Sequence, residues 1–299
     1  MRVLNFGSLN YDYTYQVSHM VRPGETLASC KMAIHSGGKG LNQSIALRRA
    51  GAAVWHAGMV GEDGVLLIET CCREGIDTSL IRTCTEKSGH AIIQVTPEGE
   101  NCILLYGGAN RKNTAEHVEK ALSGFGAGDI LLLQNEINLL PHVMRAAAQR
   151  EMRIVFNPSP CDSAVKECDL SLVSVFVINE TEGEQLCGER EPEKIAEKLL
   201  RLYPKSSIVL TLGAKGVLYR SESETIKVPS CKVKAVDTTG AGDTFTGYYL
   251  AGLLQKMTHK QALTRACAAA ALAVTRPGAS EAIPTAEEVN RFQEEMADL

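Results

Sequence analysis

The sequence predicts an α/β protein with a mostly parallel central sheet and a smaller sheet beside it. From residue 130 to residue 212, short apolar runs alternate with segments of helical periodicity, and this alternation is typical of parallel strands joined by right-handed helical crossovers. Two earlier segments, 11–35 and 88–106, alternate polar and apolar residues around turn signals, which is typical of hairpins. With 299 residues, 44% of them hydrophobic, the chain is long enough for one large domain over residues 1–299, with the hairpins as its small sheet.

The individual elements follow from the pattern in chain order. Arg2–Gly7 is a predicted buried strand, and a helix is predicted over Leu41–Ala50. Ser230–Val236 alternates polar and apolar residues like a strand at a sheet edge. The remaining predicted elements are strands 130–134, 153–157, 173–178 and 208–212 and helices 139–149, 258–274 and 285–296. The last helix has Thr285 and Glu288 at the spacing of a capping box.

Composition argues against several classes of protein. The net charge of −4 and the pI near 6.0 argue against a dominant nucleic-acid-binding surface. The sequence contains no apolar run near the roughly 20 residues that cross a bilayer, and its first residues, MRVLNFGSLN, lack an apolar signal core. We therefore expect a cytoplasmic protein whose partner is a small molecule.

The ten cysteines and seven histidines follow no metal-site pattern. Cys71 and Cys72 are adjacent, the other cysteines are isolated, and the sequence has no CxxC pair. We expect free, mostly buried thiols and no histidine metal ligand.

A glycine-rich turn followed by a helix carries the strongest chemical signal. Residues 237–245 read DTTGAGDTF, with Gly240, Ala241 and Gly242 where the helix begins. Unpaired backbone N–H groups and the helix dipole bind anions at such a position. A carboxylate beside that anion, here Asp243, suits proton abstraction. The segment therefore predicts an anion hole with a general base, although an isolated GAGD would more often be a turn with an acidic residue favoured by the helix dipole.

Polar residues near the first predicted strand and helix are candidate substrate ligands. Asn10 and Asp12 follow the first strand, where ligands of open α/β sheets bind, and they point the same way in an extended chain. Gly38, Lys39 and Asn42 stand in the first turn of the next helix. This is no Walker A motif, because Lys39 is followed by glycine. The alternatives are a turn-forming Asn/Asp pair, a tight glycine turn and a solvated lysine.

Two separated segments resemble the signatures of the ribokinase-like sugar kinases, also called the PfkB family. One is DTTGAGDTF, and the other is the spacing of Gly37, Gly38, Asn42, Ser44, Gly51 and Gly61. GSLNYD, NPSP, INETE, TLGAKG and VTRPGA extend the resemblance nearly end to end. It implies a three-layer α/β/α domain with a lid formed by the small sheet. It also implies phosphoryl transfer from ATP to a primary hydroxyl of a small sugar.

The resemblance implies a set of site residues as well. The implied sugar ligands are Asn10, Asp12, Gly38, Lys39, Asn42 and Glu136, and the implied base is Asp243 beside Gly240, Ala241 and Gly242. The implied nucleotide ligands are Asn179, Thr211, Leu212, Gly213, Ala214, Lys215, Gly216, Gly242 and Cys267. Magnesium is implied at the phosphates, near Glu182 through water. Potassium is implied at Asp237, Thr239, Ala273, Arg276 and Gly278, mostly through carbonyl oxygens.

The resemblance leaves the substrate open among related molecules. It favours D-ribose, giving ribose 5-phosphate, over deoxyribose or another pentose, a ketohexose or a nucleoside, because every implied sugar ligand is present. A non-catalytic sugar- or nucleotide-binding protein is a further alternative, although neither the base nor the anion hole is missing. The family's habits and the need to cover strand edges imply a homodimer through the small sheet.

The sequence departs from the family pattern at two positions. Tyr248 stands where the family usually has a small residue. In the turn over 61–67, Leu66 occupies the position where the family pattern has its second glycine. The first departure concerns helix packing, and the second leaves the geometry of that turn open.

Overall fold

The computed structural model describes residues 1–297, so that Asp298 and Leu299 lie outside the described residues. Its large sheet has nine strands. They are β1 (Val3–Phe6), β4 (Val54–Gly61), β5 (Asp77–Cys84), β8 (Ile130–Gln134), β9 (Arg153–Asn157), β10 (Val173–Asn179), β11 (Ser207–Thr211), β12 (Val217–Arg220) and β13 (Thr225–Val228). The spatial order is β13-β12-β11-β10-β9-β8-β1-β4-β5.

The large sheet is parallel except at one end. The pairs from β5 through β1 to β11 are parallel, whereas β12 and β13 are added antiparallel. The predicted strands 130–134 and 153–157 coincide with β8 and β9. The mostly parallel central sheet is therefore confirmed.

Helices cover both faces of the large sheet. They are α1 (Lys39–Arg49), α2 (Val65–Arg73), α3 (Ala115–Leu122), α4 (Leu140–Ala148), α5 (Glu180–Cys187), α6 (Pro192–Leu202), α7 (Ala241–Leu254), α8 (His259–Ala273) and α9 (Ala286–Ala297). Successive strand residues face opposite sides: Leu132 packs in the core that contains α1, α7 and α8, while Leu131 and Leu133 pack in the core that contains α3, α4 and α6. Two cores on one sheet make the three-layer architecture that the resemblance implies.

The small sheet contains the two predicted hairpin segments. Its strands are β2 (Asn10–Gln16), β3 (Lys31–Gly37), β6 (Gly89–Val95) and β7 (Asn101–Tyr106), in the order β3-β2-β6-β7. β2 pairs antiparallel with β3 and parallel with β6, and β6 pairs antiparallel with β7. All six residues of β7 are exposed, so this sheet presents apolar side chains outside the main core.

Two predictions were wrong. Ser230–Val236 forms no strand in the part of the chain that the structure describes, because its polar and apolar residues alike line a cavity beside α7 and α8 instead of joining a ladder. The ten thiols are free within residues 1–297, but they are not mostly buried: three are buried, four are intermediate and three are exposed.

The two departures from the family pattern are accommodated locally. The turn 61–67 closes with a bond from the Gly64 amide to the Gly61 carbonyl at 2.9 Å, and Leu66 lies on the surface, 40% exposed. Tyr248 is fully buried, and its hydroxyl donates to the Pro284 carbonyl at 2.8 Å. Among residues 1–297, no helix is long and apolar enough to cross a membrane.

Candidate active site

Helix α7 begins at a glycine in the left-handed conformation. Gly240 has a φ of 72°, which residues with a Cβ rarely adopt. Within residues 1–297 no side chain caps this helix, and the Ala241 amide reaches the Thr238 carbonyl only at 3.3 Å. A Cβ built on Gly242 would meet no described atom within 4 Å. The helix end therefore offers backbone donors to open space, as an anion site requires.

Asp243 lies in the first turn of α7 and is 7% exposed. Its carboxylate accepts hydrogen bonds from Nδ2 of Asn42 at 3.1 Å and from Nε2 of Gln43 at 2.8 Å, both on α1. Burial raises the pKa of Asp243, against the opposing effects of Lys39 and of the two amides. A carboxylate with a raised pKa is a better proton acceptor than a solvated one.

A cavity of about 210 Å³ opens in front of Asp243, where the parallel strands end. Such strand ends are where open α/β sheets bind ligands. The polar residues that line it are Lys39, Asn157, Ser159, Asn179, Glu182, Thr211, Thr238, Asp243 and Thr246. Three of the implied nucleotide ligands, Asn179, Thr211 and Gly242, thus line one cavity together with the proposed general base, Asp243.

Lys39 is only partly exposed and lies among carboxylates. Burial alone would lower the pKa of its ammonium group, but Asp243, Glu136, Glu182 and Asp12 outweigh burial and raise it. Lys39 therefore keeps its positive charge beside the cavity, which argues against the alternative of a solvated lysine.

Glu136 follows β8 and is held by two donors. It accepts a short hydrogen bond from Oγ of Ser8 and a bond of 3.1 Å from the Lys39 amide. Oγ of Ser8 also accepts from the Gly40 amide at 3.2 Å. Burial raises the pKa of Glu136, with Lys39 and these two donors opposing it. Ser8 thereby joins the first strand to the start of α1.

Asn10 and Asp12 lie two residues apart on β2, in the small sheet. Oδ1 of Asn10 accepts from Nδ2 of Asn110 at 2.7 Å. Burial raises the pKa of Asp12 to about 7, with Glu136 and Glu281 adding to this effect and His35 opposing it. Asn10 and Glu136 line a cavity of about 330 Å³ at the edge of the small sheet. The structure therefore brings the implied sugar ligands together at the junction of the two sheets.

Two glycines permit close approach at this junction. Gly38 has a φ of 94°, and a Cβ on Gly37 would lie 2.0 Å from Oδ2 of Asp12. A side chain at Gly37 would displace the Asp12 carboxylate, and one at Gly38 would crowd the backbone of Asn10 on β2.

A larger cavity of about 430 Å³ lies on the other side of the α7 N-terminus. Its walls include Thr211, Gly213, Ala214, Gly216, Gly242 and Cys267, with apolar area from Val233, Phe245, Ala270 and Val274. An apolar slot that ends at backbone donors suits a planar base attached to phosphates. Leu212 and Lys215 belong to the turn after β11, in which the Leu212 amide donates to the Gly216 carbonyl at 2.8 Å. Nζ of Lys215 lies 3.7 Å from Oε1 of Glu180.

Asn179 and Glu182 form a capping box at the start of α5. The Glu182 amide donates to Oδ1 of Asn179 at 2.8 Å, and Oε2 of Glu182 accepts from the Asn179 amide at 3.0 Å. Burial raises the pKa of Glu182, against the Asn179 and Ser159 hydrogen bonds and the charge of Lys39. A buried carboxylate at the cavity wall is a hard oxygen donor of the kind that magnesium prefers.

The five residues of the implied potassium site come from the loop before α7 and from the end of α8 with the turn that follows it. Asp237 joins these two segments, because its Oδ1 accepts from the Thr239 amide at 2.9 Å and its Oδ2 accepts from the Gly278 amide at 2.9 Å. The Asp237 amide donates to the Val274 carbonyl at 3.2 Å, between Ala273 and Arg276. The donor set that the resemblance implies, one carboxylate with backbone carbonyls, would suit a hard monovalent cation.

Sequence reasoning missed four polar residues of this site: Ser8, Gln43, Asn110 and Gln134. Gln43 donates to the Asp243 carboxylate, and Asn110 orients Asn10. A signal was present for Gln43, since three consecutive polar residues, Asn42 to Ser44, fall in a helix with eight buried residues. Asn110 and Gln134 had no such local signal, because their partners are distant in sequence.

Comparison with known proteins places this geometry in a family. Residues 2–286 match the pfkB family of carbohydrate kinases. The ribokinase of Haemophilus influenzae is 37% identical over 96% of this chain and 97% of its own length. The crystal structure of ribokinase from Thermotoga maritima, 33% identical, matches with a TM-score of 0.89 over 98% of this chain and 99% of that one. Arabidopsis thaliana ribokinase complexed with ribose and ATP is 26% identical, with a TM-score of 0.83 over 97% and 98% of the two chains. Because the family match spans nearly the whole sequence, the chain belongs to the pfkB family of carbohydrate kinases.

Proposed function

We propose that this carbohydrate kinase transfers the γ-phosphoryl group of ATP to the primary hydroxyl of D-ribose, giving ribose 5-phosphate. The single observation that carries the proposal is the position of Asp243. This carboxylate lies at the N-terminus of α7 beside a cavity shared by the implied nucleotide and sugar residues. The similarity to ribokinases over nearly the whole chain supports ribose as the acceptor.

In this mechanism Asp243 accepts the proton of the sugar hydroxyl. The amides of Ala241, Gly242 and Asp243 stabilise negative charge on the transferred group, as backbone donors do in other phosphoryl-transfer sites. Lys39 adds a positive charge beside the same cavity. Asn10, Asp12, Gly38, Asn42 and Glu136 hold the sugar. The buried Oδ1 of Asn42 has no hydrogen-bond partner within residues 1–297, and a sugar hydroxyl would supply one.

The proposed nucleotide site runs from the apolar slot to the α7 N-terminus. In this proposal Cys267 contacts the adenine ring of ATP. The residues that approach its phosphates are Thr211 to Gly216, Asn179 and Gly242. Glu182 is the residue proposed to hold magnesium through water, and magnesium bound there would neutralise charge on the phosphate oxygens. Oε2 of Glu182 is already engaged by the Asn179 amide, which favours this indirect role.

We also propose a potassium site at Asp237, Thr239, Ala273, Arg276 and Gly278. These residues border the loop that carries Gly240 to Gly242, so a bound cation would order the donors without taking part in proton transfer. Turnover in potassium buffer should exceed turnover in sodium buffer at equal ionic strength. Equal rates would remove the potassium proposal and leave the kinase assignment intact.

The small sheet is proposed to act as a lid and as the contact between two copies of the chain. Ile34, Ile92 and Leu104 are aligned across three strands and are 47%, 38% and 68% exposed. Exposed apolar strands of this kind require cover. Light scattering should therefore report a dimer that Leu104→Glu converts to a monomer, and a monomeric wild type would reject the contact. The cytoplasmic location stays a prediction of the sequence.

The deciding experiment is a panel of acceptors with ATP: D-ribose, 2-deoxyribose, other pentoses, ketohexoses and nucleosides. We expect the highest kcat/KM with D-ribose and phosphorylation at its primary hydroxyl, located by phosphorus-coupled NMR of the product. A higher value with another acceptor would replace ribose while retaining the kinase. Activity with none of them would reject the proposed function.

A further inference from the structure

Behind the Asp243 carboxylate lies a chain of fully buried polar side chains. Nε2 of Gln43 donates to Oδ1 of Asp243 at 2.8 Å and to Oδ1 of Asn157 at 3.1 Å. Both hydrogens of the Gln43 amide are thereby committed, one to the proposed base and one to the end of β9. Gln43 is 0% exposed, so water does not compete for these bonds.

The orientation of Gln43 is fixed from behind by Gln134. Nε2 of Gln134 donates to Oε1 of Gln43 at 2.6 Å and to Oδ1 of Asn5 at 3.1 Å. An amide oxygen only accepts and an amide nitrogen only donates. Because Gln134 occupies the oxygen of Gln43, the nitrogen of Gln43 must face Asp243. The reversed amide would place two oxygens against each other at the carboxylate.

The series of hydrogen-bonded side chains continues to a neutral histidine on β4. Nδ2 of Asn5 donates to Oγ of Ser44 at 2.8 Å, and Oγ of Ser44 lies 2.8 Å from Nδ1 of His56. Burial lowers the pKa of His56 to about 4, so the ring is neutral at pH 7. With Nε2 of His56 facing the Gly7 carbonyl at 3.3 Å, Nδ1 is the acceptor. Every group from His56 to Gln43 then has one permitted hydrogen-bond direction.

We infer that Gln43, oriented by Gln134 and the polar chain behind it, is a positioning residue that fixes the Asp243 carboxylate and favours its ionised form. The inference rests on the proposed role of Asp243 as the base. Asn42 supplies the second donor to the carboxylate, but the Asn42 amide borders the sugar side, whereas Gln43 is sealed from both substrates.

The charged groups that face Asp243 are Lys39 on α1, Glu136 after β8, Glu182 on α5 and Asp12 on β2. All four are retained when only Gln43 is changed. A shift in the pH dependence of turnover therefore reports the loss of the Gln43 hydrogen bond rather than a change in these charges.

The test is the pH profile of kcat in Gln43→Met, which keeps the side-chain length and removes the donor. Removing a hydrogen bond to the charged form raises a carboxyl pKa, so the acid limb should move to higher pH by about one unit, with kcat about tenfold lower at the pH values on that limb. KM for ATP and for the sugar should stay within about threefold, because Gln43 itself lines none of the three cavities of the site.

Two further variants keep the test decisive. Gln43→Glu places a second carboxylate opposite Asp243, and like-charge repulsion should move the acid limb further in the same direction. Gln134→Leu frees the Gln43 amide and should give a smaller shift of the same sign. Tyr248→Phe is the matched control, because it removes a buried hydrogen bond from the same helix and should leave the profile in place.

Asp243→Asn separates the possible failures. If Asp243→Asn is inactive while Gln43→Met and Gln43→Glu keep the wild-type profile and kcat, the positioning role is wrong and the proposed base stands. If Asp243→Asn remains active, the proposed function of Asp243 fails first. A Gln43→Met protein that loses rate only in proportion to its folded fraction, with an unmoved acid limb, also overturns the inference.

Discussion

The two halves of the site each contain a carboxyl group whose pKa burial raises, but they hold that group in different ways. Asp243 belongs to a core helix and receives two amide hydrogen bonds from α1. Asp12 belongs to the small sheet, and its main neighbours are the charges of Glu136, Glu281 and His35, which arrive from separate segments. The base is therefore fixed by core packing, whereas the sugar side is assembled where two sheets meet.

The surroundings of the two halves differ in the same sense. All five residues of β8, beside the base, are buried, whereas all six residues of β7, beside the sugar cavity, are exposed. Regions with few buried contacts open at low free-energy cost. The half that contains Asp243 should therefore control the rate of phosphoryl transfer. The half that contains Asp12 and the small sheet should control which sugar binds and how tightly.

The largest expected effect belongs to Asp243→Asn. The substitution keeps the shape of the side chain and removes the proton acceptor, so kcat should fall by about 10³-fold or more. ATP affinity, measured by calorimetry, should stay within about threefold of wild type because the α7 amides are unchanged. A variant that keeps more than about a tenth of wild-type kcat would show that this half does not set the rate.

Asp12→Asn should act on binding instead. Loss of a charged acceptor for sugar hydroxyls should raise the KM for sugar by about 10-fold to 100-fold, while kcat at saturating sugar changes little. Steady-state kinetics with varied sugar at fixed ATP measures the split. An equal fall in kcat for both variants would erase the distinction between the halves.

The same variant should reveal a stability cost of the sugar half. Because the folded pKa of Asp12 is about 7, above its ordinary value of 3.8, the folded state favours the protonated form. The contribution of the protonated Asp12 to stability is present below pH 3.8 and is lost as the pH rises from there through about 7. At pH 8, ligand-free Asp12→Asn should therefore have a higher melting temperature than the wild type and a free energy of unfolding larger by about 1 kcal/mol or more. This difference in stability should shrink toward pH 5.

Asp237→Asn is a control for the melting experiment, because it should change the stability at pH 8 in the opposite direction to Asp12→Asn. Burial alone would raise the pKa of Asp237, but the hydrogen bonds from Thr239 and Gly278 outweigh burial and lower it. Its carboxylate stabilises the fold above its ordinary pKa, so this variant should melt lower than wild type at pH 8. A pH-independent gain in Asp12→Asn would contradict the titration of that carboxyl group.

The same contrast explains what the sequence could predict. β8 and β9 were predicted to the residue because buried parallel strands are continuous apolar runs, and the signature at 237–245 is local in sequence. The strand prediction for Ser230–Val236 was wrong because residues of both kinds in this segment line a cavity and none pairs with a neighbouring strand. The bond from Asn110 to Asn10 joins residues 100 positions apart, and that from Gln134 to Gln43 joins residues 91 apart. No local pattern encodes such pairs, since they arise only when the two sheets and α1 are packed together.

The smallest expected effect comes from a matched pair of tyrosines. The hydroxyl of Tyr11 on β2 donates to the Asp63 carbonyl at 2.6 Å, and that of Tyr248 on α7 donates to the Pro284 carbonyl at 2.8 Å. Each Tyr→Phe change removes one such bond and should lower the free energy of unfolding by about 1 kcal/mol. Tyr11 ties the small sheet to the turn after β4, so only Tyr11→Phe should also raise the KM for sugar, by about twofold to threefold. Thermal melting and sugar kinetics on both variants separate stability from sheet position. A rise in KM for Tyr248→Phe as well would mean that sugar binding senses the stability of the whole fold, not the junction of the two sheets.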